Sequence, residues 1–98
     1  MGISLPIEAL KQWCTKWRIR ELSVFGSALR PDFSDTSDLD LLVQFDDEVV
    51  WDFDQLDQMT REAESLVGRS VDVVSTRALR NPFIRADVMS TRRVLYAA

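Results

Sequence analysis

The chain has 98 residues, of which 46% are hydrophobic and 29% are charged, and its formal net charge is −4. This length and composition predict one globular domain, residues 1–98, and exclude a disordered chain. Because histidine is absent, a Ser-His or Cys-His nucleophilic system and a histidine-ligated zinc site are excluded within the chain. Any catalysis must therefore rest on carboxylates, basic side chains, hydroxyl groups and a bound metal.

Two features of the sequence bear on where the protein resides. It has no charged-then-apolar leader and no apolar run of about 18 residues, so we expect neither secretion nor membrane insertion. Its single cysteine, Cys14, lies between apolar residues of a predicted helix and is expected to be a small buried hydrophobe. A lone cysteine cannot close an intramolecular disulfide, which fits the cytoplasm.

The net charge is distributed unevenly along the chain. Residues 1–30 carry +3, residues 31–75 carry −11 and residues 76–98 carry +4. The acidic total disfavours general nucleic-acid binding, whereas an acidic centre between basic flanks suits a metal-plus-polyphosphate site. Charge alone favours the simpler interpretation, that these residues form solvated helix faces.

The N-terminal half predicts a helix followed by two strands. Ser4 is a candidate cap of the helix and Pro6 fits its first turn. Residues 21–25 predict a strand that runs into a glycine, and residues 28–37 are rich in turn formers. The second strand, residues 38–45, alternates between a face expected to be buried and a face that is polar at its N-terminal end. The buried face comprises Leu39, Leu41, Val43 and Phe45, and the apolar helix face comprises Ile7, Leu10, Trp13, Cys14 and Trp17.

The C-terminal half predicts a helix, a strand, a short helix and a final element. Asp52 caps the first of these helices, Gln55 completes a capping box, and Gly68 ends the helix. Residues 70–75 form a β-branched third strand. The remaining elements are a short helix from Asn81-Pro82 to about Met89 and, at residues 93–97, a fourth strand or a final helical turn.

The order of these elements, α-β-β-α-β-α-β, indicates the fold class. It predicts an α/β (α+β) fold in which helices cover a small mixed β-sheet mainly on one face.

Asp38 and Asp40 lie two residues apart in a predicted strand, so their side chains project from the same face. Two ionised carboxylates at this spacing repel each other unless a cation lies between them. Oxygen ligands of this kind suit Mg²⁺ or Mn²⁺, with waters and substrate phosphates completing the coordination. A D-x-D pattern alone is more often an exposed acidic strand end.

Gly26 and Ser27, directly after the first strand, strengthen the metal-site interpretation. A glycine at this position allows a tight turn and a close approach of the backbone to a phosphate. The N–H groups of residues 26–28 and the Ser27 hydroxyl would then cradle phosphate oxygens. On its own, such a pair is usually only a turn.

Asp72 is the third candidate, in the valine-rich strand SVDVV. Its neighbours share the face expected to be buried, so its side chain points to the other face. If this strand lies beside the second strand, Asp72 joins Asp38 and Asp40, where it would bind a second metal or accept a proton. A position on an edge strand is the simpler alternative.

The pattern G-S-x(10)-D-x-D in VFGSALRPDFSDTSDLDLLV, with the later aspartate in VDVV, resembles the nucleotidyltransferase superfamily of DNA polymerase β. More narrowly, it resembles the minimal nucleotidyltransferases, catalytic domains of about this length that are often antitoxin partners of HEPN-domain toxins. The resemblance covers most of the chain and includes the segment NPFIRADVMSTRRVLY. It implies a polymerase β palm-like fold and a single minimal nucleotidyltransferase domain over residues 1–98.

The reaction implied by the resemblance is a nucleotidyl transfer. An acceptor hydroxyl attacks the α-phosphorus of a nucleoside triphosphate, and pyrophosphate leaves. Asp38 and Asp40 would bind the metals, Mg²⁺ or Mn²⁺, and Asp72 would bind the catalytic metal and help to activate the acceptor. Two metals can stabilise the entering and leaving oxygens together.

The same resemblance assigns phosphate contacts. Gly26 and Ser27 would hold the β- and γ-phosphates, and Arg30 would contact phosphate or form only a surface salt bridge. Many relatives have a glycine after the basic residue, whereas Pro31 follows Arg30 here. The path of this loop is therefore expected to differ.

The resemblance also implies a donor, an acceptor and a partner. The donor would be ATP, and the acceptor a tyrosine of a HEPN-type toxin, with this chain as the antitoxin of a type VII-like toxin–antitoxin pair. One alternative is a catalytically silent module that neutralises a toxin by contact. Another is a subunit of a small-molecule (antibiotic) nucleotidyltransferase, whose acceptor pocket would need a homodimer or hetero-oligomer. Neither a membrane nor a nucleic acid is expected as a partner.

Overall fold

The computed structural model describes residues 5–29, 37–46 and 48–98, apart from the side chains of residues 27 and 28. These residues form three helices and four strands in the predicted order, with short 3-10 turns after the first and third strands. None of the helices in this described part is long and apolar enough to cross a membrane. The elements are α1 (Ile7–Lys16), β1 (Ile19–Phe25), β2 (Leu39–Phe45), α2 (Phe53–Val67), β3 (Val71–Ser75), α3 (Pro82–Thr91) and β4 (Arg93–Ala97).

Local sequence signals account for several helix ends. The Gln55 N–H donates to the Asp52 carboxylate at 2.8 Å, and the Asp52 N–H donates to the Gln55 side chain at 3.0 Å. The predicted capping box of α2 is therefore present. Gly68 ends α2 in a left-handed conformation, and the side chain of Asn81 caps α3 by accepting from the Phe83 N–H at 2.9 Å.

The first elements begin at slightly different positions from those predicted. α1 starts after Pro6, which is its N-cap residue without a side-chain bond and does not lie in the first turn. The Ser4 cap falls outside the described residues. β1 starts at Ile19, earlier than predicted, because Arg18 turns the chain with a φ of 56° and Ile19 is then buried in the core.

The last elements are longer or better defined than predicted. α3 continues past Met89 to Thr91, whose hydroxyl donates to the Asp87 carbonyl one turn earlier at 2.8 Å. Residues 93–97 form a strand, so the alternative of a final helical turn is wrong. β3 begins at Val71, one residue later than predicted.

The four strands form one mixed sheet in the order β3-β2-β1-β4. β1 is antiparallel to both β2 and β4, and β2 is parallel to β3. The two strands that carry the candidate aspartates are therefore direct neighbours. The predicted mixed sheet is confirmed.

The face of the sheet that was predicted to be buried packs against α1 and α2. The indole N–H of Trp13 in α1 donates to the Met59 carbonyl in α2 at 3.1 Å, which joins the two helices by a buried hydrogen bond. Burial of apolar surface here supplies the main stabilisation of the fold. The core residues include Leu39, Leu41, Val43 and Phe45 from β2, Leu10, Trp13, Cys14 and Trp17 from α1, and Met59 and Ala63 from α2.

The opposite face of the sheet is only partly open. Ser23 and Leu42, which pair across β1 and β2 on this face, are 1% and 2% exposed. Arg92, directly after α3, contacts Glu21 at 3.4 Å, and Glu21 shares its face with Ser23. Val88 of α3 is buried, but it does not belong to the main core cluster.

Candidate active site

Asp40 and Asp72 lie directly opposite each other on the neighbouring parallel strands β2 and β3. Adjacent strands are about 4.8 Å apart and registered residues project from the same face. Val71 is buried and Val73 packs against the core, so the two carboxylates share the face away from α1 and α2. Asp40 is half-buried and Asp72 is exposed. Asp72 thus lies on the face that its strand pattern predicted.

Asp38 lies immediately before β2, which corrects the predicted strand of residues 38–45. The strand begins at Leu39 because that residue is the first with a partner in β3, and its N–H donates to the Ser70 carbonyl at 2.9 Å. Asp38 is exposed. Within the described ranges, no group of three or more histidine, cysteine, aspartate or glutamate side chains is arranged to hold a metal ion. The register thus pairs two of the predicted aspartates and leaves Asp38 at the margin.

Gly26 lies against the carboxylate of Asp40. Phe25, the last residue of β1, is the register partner of Asp40, and Gly26 then turns the chain with a φ of 65°. A Cβ built on Gly26 would lie 2.5 Å from Asp40 Oδ2, far inside van der Waals contact. Only glycine therefore fits this position without a shift of the carboxylate.

Two further predicted contacts fall outside the described part of the chain. The backbone of Ser27 lies in the 3-10 turn Gly26–Leu29, but its side chain is outside the described residues, as are Arg30 and Pro31 entirely. The phosphate contacts assigned to Ser27 and Arg30 stay predictions.

Sequence reasoning missed the contacts made by the turn between α2 and β3. The guanidinium of Arg69 donates from Nη1 to the Ser37 carbonyl at 3.3 Å. The Val71 N–H donates to Glu64 Oε2 at 3.0 Å. These bonds fix the starts of the two strands that carry the aspartates. The one available signal is the basic residue that directly follows the helix-ending glycine.

An apolar cavity of about 280 Å³ lies away from the aspartates. Its lining includes Phe45 and Ser75, at the C-terminal ends of β2 and β3, whereas Asp40 and Asp72 lie near the N-terminal ends of the same strands. This cavity is therefore not part of the candidate site.

Comparison with known proteins identifies the family of the chain. A family model described as "Nucleotidyltransferase domain" matches residues 7–95. The chain belongs to this nucleotidyltransferase family. A solved structure described as a "putative minimal nucleotidyltransferase" is similar to it, with 32% identity, 89% of this chain and 86% of that chain covered, and a TM-score of 0.73.

Two more distant proteins are also similar to this nucleotidyltransferase. A Methanocaldococcus jannaschii protein named "Putative protein adenylyltransferase" is 25% identical over 73 residues, which cover 74% of this chain and 73% of the relative. A solved toxin-antitoxin structure with AMP-PNP has a TM-score of 0.76 at 17% identity, and the match covers 96% of this chain and 75% of that chain. The latter likeness concerns the fold alone. The predicted family, fold and enzyme class are confirmed.

The paired carboxylates of this nucleotidyltransferase fit a divalent cation. Like charges directly opposite on neighbouring strands destabilise a sheet, so Asp40 and Asp72 favour a cation between them. Mg²⁺ is usually bound through one or two carboxylates, while waters and substrate phosphates complete its octahedron. Asp40 and Asp72 supply two such carboxylates, and Gly26 beside Asp40 leaves room for a phosphate to approach.

Proposed function

We propose that the chain is a metal-dependent nucleotidyltransferase that transfers AMP from ATP to a hydroxyl group of a protein partner. The observation that carries the proposal is the registered pair of Asp40 and Asp72, with Gly26 packed against Asp40, in a chain of this family. Within the proposal, residues 1–98 act as one catalytic domain in the cytoplasm.

In this proposal each group of the chain has a defined role. Asp38 and Asp40 hold Mg²⁺ or Mn²⁺, and Asp72 holds the catalytic ion and accepts the proton of the attacking hydroxyl on a carboxylate oxygen. When bound, the metal ions neutralise the charge that develops on the entering and leaving oxygens. The backbone at Gly26 and Ser27 orients the β- and γ-phosphates, which Arg30 also contacts.

The proposed transfer forms one phosphorus–oxygen bond and breaks another. The acceptor oxygen forms a bond to the α-phosphorus of ATP, the bond between that phosphorus and the bridging oxygen breaks, and pyrophosphate leaves. The acceptor proton passes to Asp72. Orientation of the two reactants and charge stabilisation supply most of the rate enhancement in such transfers.

The proposed acceptor is a tyrosine of a HEPN-type toxin, so that the chain acts as the antitoxin of the pair. Two comparisons support a protein acceptor: one relative is named a protein adenylyltransferase, and structural neighbours are toxin-antitoxin complexes, one with AMP-PNP and one named MntA-HepT. The exposed position of Asp72 supports it further, because a large acceptor can reach this carboxylate from solvent.

The test is transfer of label from α-labelled ATP to a co-expressed partner in the presence of Mg²⁺. We expect the partner to be labelled by the unmodified chain, and Asp40→Asn to reduce the rate by at least about 100-fold, as for loss of a central electrostatic group. Asp57→Asn is the charge-matched control, since Asp57 is exposed on α2 and pairs with Arg61 one turn along the same helix. Equal labelling by Asp40→Asn and Asp57→Asn would disprove the catalytic role.

A second candidate function is a catalytically silent module that neutralises a toxin by contact. It is favoured by one observation, that the described residues contain no preformed cluster of three metal ligands. Growth in the presence of the co-expressed toxin separates the two functions. Neutralisation that survives Asp40→Asn and Asp72→Asn together favours contact alone, whereas its loss in a folded double variant favours transfer.

A further inference from the structure

We propose that Arg69 is a positioning residue that sets the place of Asp38 relative to Asp72. This inference rests on the proposed function, because it assumes that the two aspartates serve one metal-binding site. In this inference Arg69 acts through the backbone beside Asp38, because it donates to the Ser37 carbonyl.

The first observation is that both neighbours of Asp38 are tied to the same turn. Ser37 accepts a hydrogen bond from Arg69 Nη1 at 3.3 Å, and Leu39 donates its N–H to the Ser70 carbonyl at 2.9 Å. Asp38 therefore lies between two anchored peptide groups. These two bonds hold the backbone on either side of Asp38.

The second observation is that the turn itself is fixed to α2. The Gly68 N–H donates to the Glu64 carbonyl at 2.8 Å, and the Glu64 side chain accepts from the Val71 N–H at 3.0 Å. Arg69 and Ser70 are held between these two bonds. Both bonds hold the turn of residues 68–70 in place against α2, so the groups that Arg69 and Ser70 bind are held in place as well.

The third observation is that Asp72 follows this turn directly. Val71 opens β3 and is the register partner of Leu39, which opens β2. The same few residues thus fix the strand that carries Asp72 and the peptide groups on both sides of Asp38. Loss of the Arg69 contact removes one of the bonds that hold the backbone beside Asp38, whereas the bond from Leu39 to Ser70 and the pairing of Asp40 with Asp72 do not involve Arg69.

The contact differs in kind from an ordinary surface charge. Arg69 is half-buried and reaches across 32 positions of sequence to a backbone carbonyl. A guanidinium that donates to a carbonyl in a partly shielded position orients the chain as outer-shell partners of metal ligands do. Arg61, by contrast, is exposed and pairs with Asp57 on its own helix.

The test measures Mn²⁺ binding by electron paramagnetic resonance, with a non-hydrolysable ATP analogue present. We expect Arg69→Ala to weaken Mn²⁺ binding by about tenfold or more, the effect typical of outer-shell partners. Transfer at saturating Mn²⁺ should stay close to that of the unmodified chain, with the KM for ATP unchanged. Arg69→Lys, which keeps a donor for the Ser37 carbonyl, should restore most of the affinity.

The controls keep the possible outcomes distinct. Arg61→Ala also removes one positive charge, in this case from α2, and should bind Mn²⁺ like the unmodified chain. If Arg69→Ala also does so, or if both Arg69 variants raise the KM for ATP, the positioning role is wrong. Asp40→Asn is the reference for the site: if it binds Mn²⁺ normally, the proposed function fails independently of Arg69. Arg69→Met, which removes the donor but keeps an unbranched side chain, replaces Arg69→Ala if the latter does not fold.

Discussion

Gly26 and Gly68 both adopt left-handed backbone conformations, with φ of 65° and 74°. A Cβ on Gly68 would meet no atom of the described residues within 4 Å, whereas a Cβ on Gly26 would meet the Asp40 carboxylate. A side chain at Gly68 would therefore cause backbone strain alone. A side chain at Gly26 would cause the same strain and would also collide with Asp40.

We expect Gly26→Ala and Gly68→Ala each to lower the free energy of unfolding by at least about 1 kcal/mol, because a side chain disfavours this conformation. Only Gly26→Ala should abolish metal-dependent transfer, since only there does the new methyl group displace Asp40. Urea unfolding followed by circular dichroism and the labelled-ATP assay give the two quantities. Equal transfer rates in the two variants would show that the Asp40 contact is unimportant.

Asp72 also affects stability, because it faces a like charge across the strands. We expect Asp72→Asn to raise the melting temperature of the ligand-free chain, as it removes that repulsion. The same variant should lose the increase in melting temperature that Mg²⁺ and an ATP analogue give the unmodified chain. For the unmodified chain this increase corresponds to a gain of about 2.7 kcal/mol in the free energy of unfolding at a ligand concentration 100 times the dissociation constant. Differential scanning calorimetry measures both, with Asp87→Asn on α3 as the exposed control. A full ligand-induced shift in Asp72→Asn would contradict its role in the site.

At the scale of elements, α2 links the two strands that carry the aspartates, and its N-terminal end is fixed by the capping box of Asp52 and Gln55. We expect Asp52→Ala to lower the free energy of unfolding by about 1 kcal/mol, because an orphan N–H group loses its acceptor. Asp54→Ala removes the same charge from the first turn and keeps the cap, so its loss should be smaller. Denaturant titration measures the free energy of unfolding of both variants. If both variants lose the same amount, the effect of Asp52→Ala is due to its charge and not to the cap.

The capping box could be predicted because its signal is local. Asp52 and Gln55 lie three residues apart, and their spacing alone specifies both hydrogen bonds. The burial of alternate residues in β2 was predictable for the same reason, since strand geometry fixes which side chains share a face. Local patterns of this kind made the order of the helices and strands predictable.

The register of the candidate site could not be read in this way. Alternation places Asp38, Asp40 and Asp72 on one face, but the first paired residue of β3 decides which of them are opposite. That residue depends on how α2 ends and on tertiary contacts such as the bond from the Leu39 N–H to the Ser70 carbonyl. The burial of Leu42 was equally hidden, because a strand pattern does not say what packs on its second face.

At the scale of the whole molecule, Cys14 reports on the integrity of the core. Its side chain is fully buried, and burial raises the pKa of the thiol from 9.0 to about 12. We expect the native chain to react with a thiol reagent at pH 8 only as fast as it unfolds, whereas the chain in denaturant reacts at once. Fast labelling of the native chain would contradict this packing.

The same pKa has a consequence for stability at high pH. Between pH 9 and 12 the unfolded thiol loses its proton while the folded thiol keeps it, so the free energy of unfolding falls as the pH rises. In Cys14→Ala this part of the pH dependence should be absent. Unfolding titrations at several pH values compare the two chains, and identical slopes would show that Cys14 is accessible in the folded state.

The parallel pairing of β2 with β3 has one more consequence. Asp40 and Asp72 are separated along the chain by the whole of α2, and they meet only when both strands are in register. A collapsed folding intermediate that has its helices but lacks fixed strand pairing would therefore offer two isolated carboxylates. Metal affinity should disappear at the denaturant concentration where tertiary order is lost, even if helical circular dichroism persists beyond it. Loss of Mn²⁺ binding would then mark the loss of strand pairing and not the loss of helix.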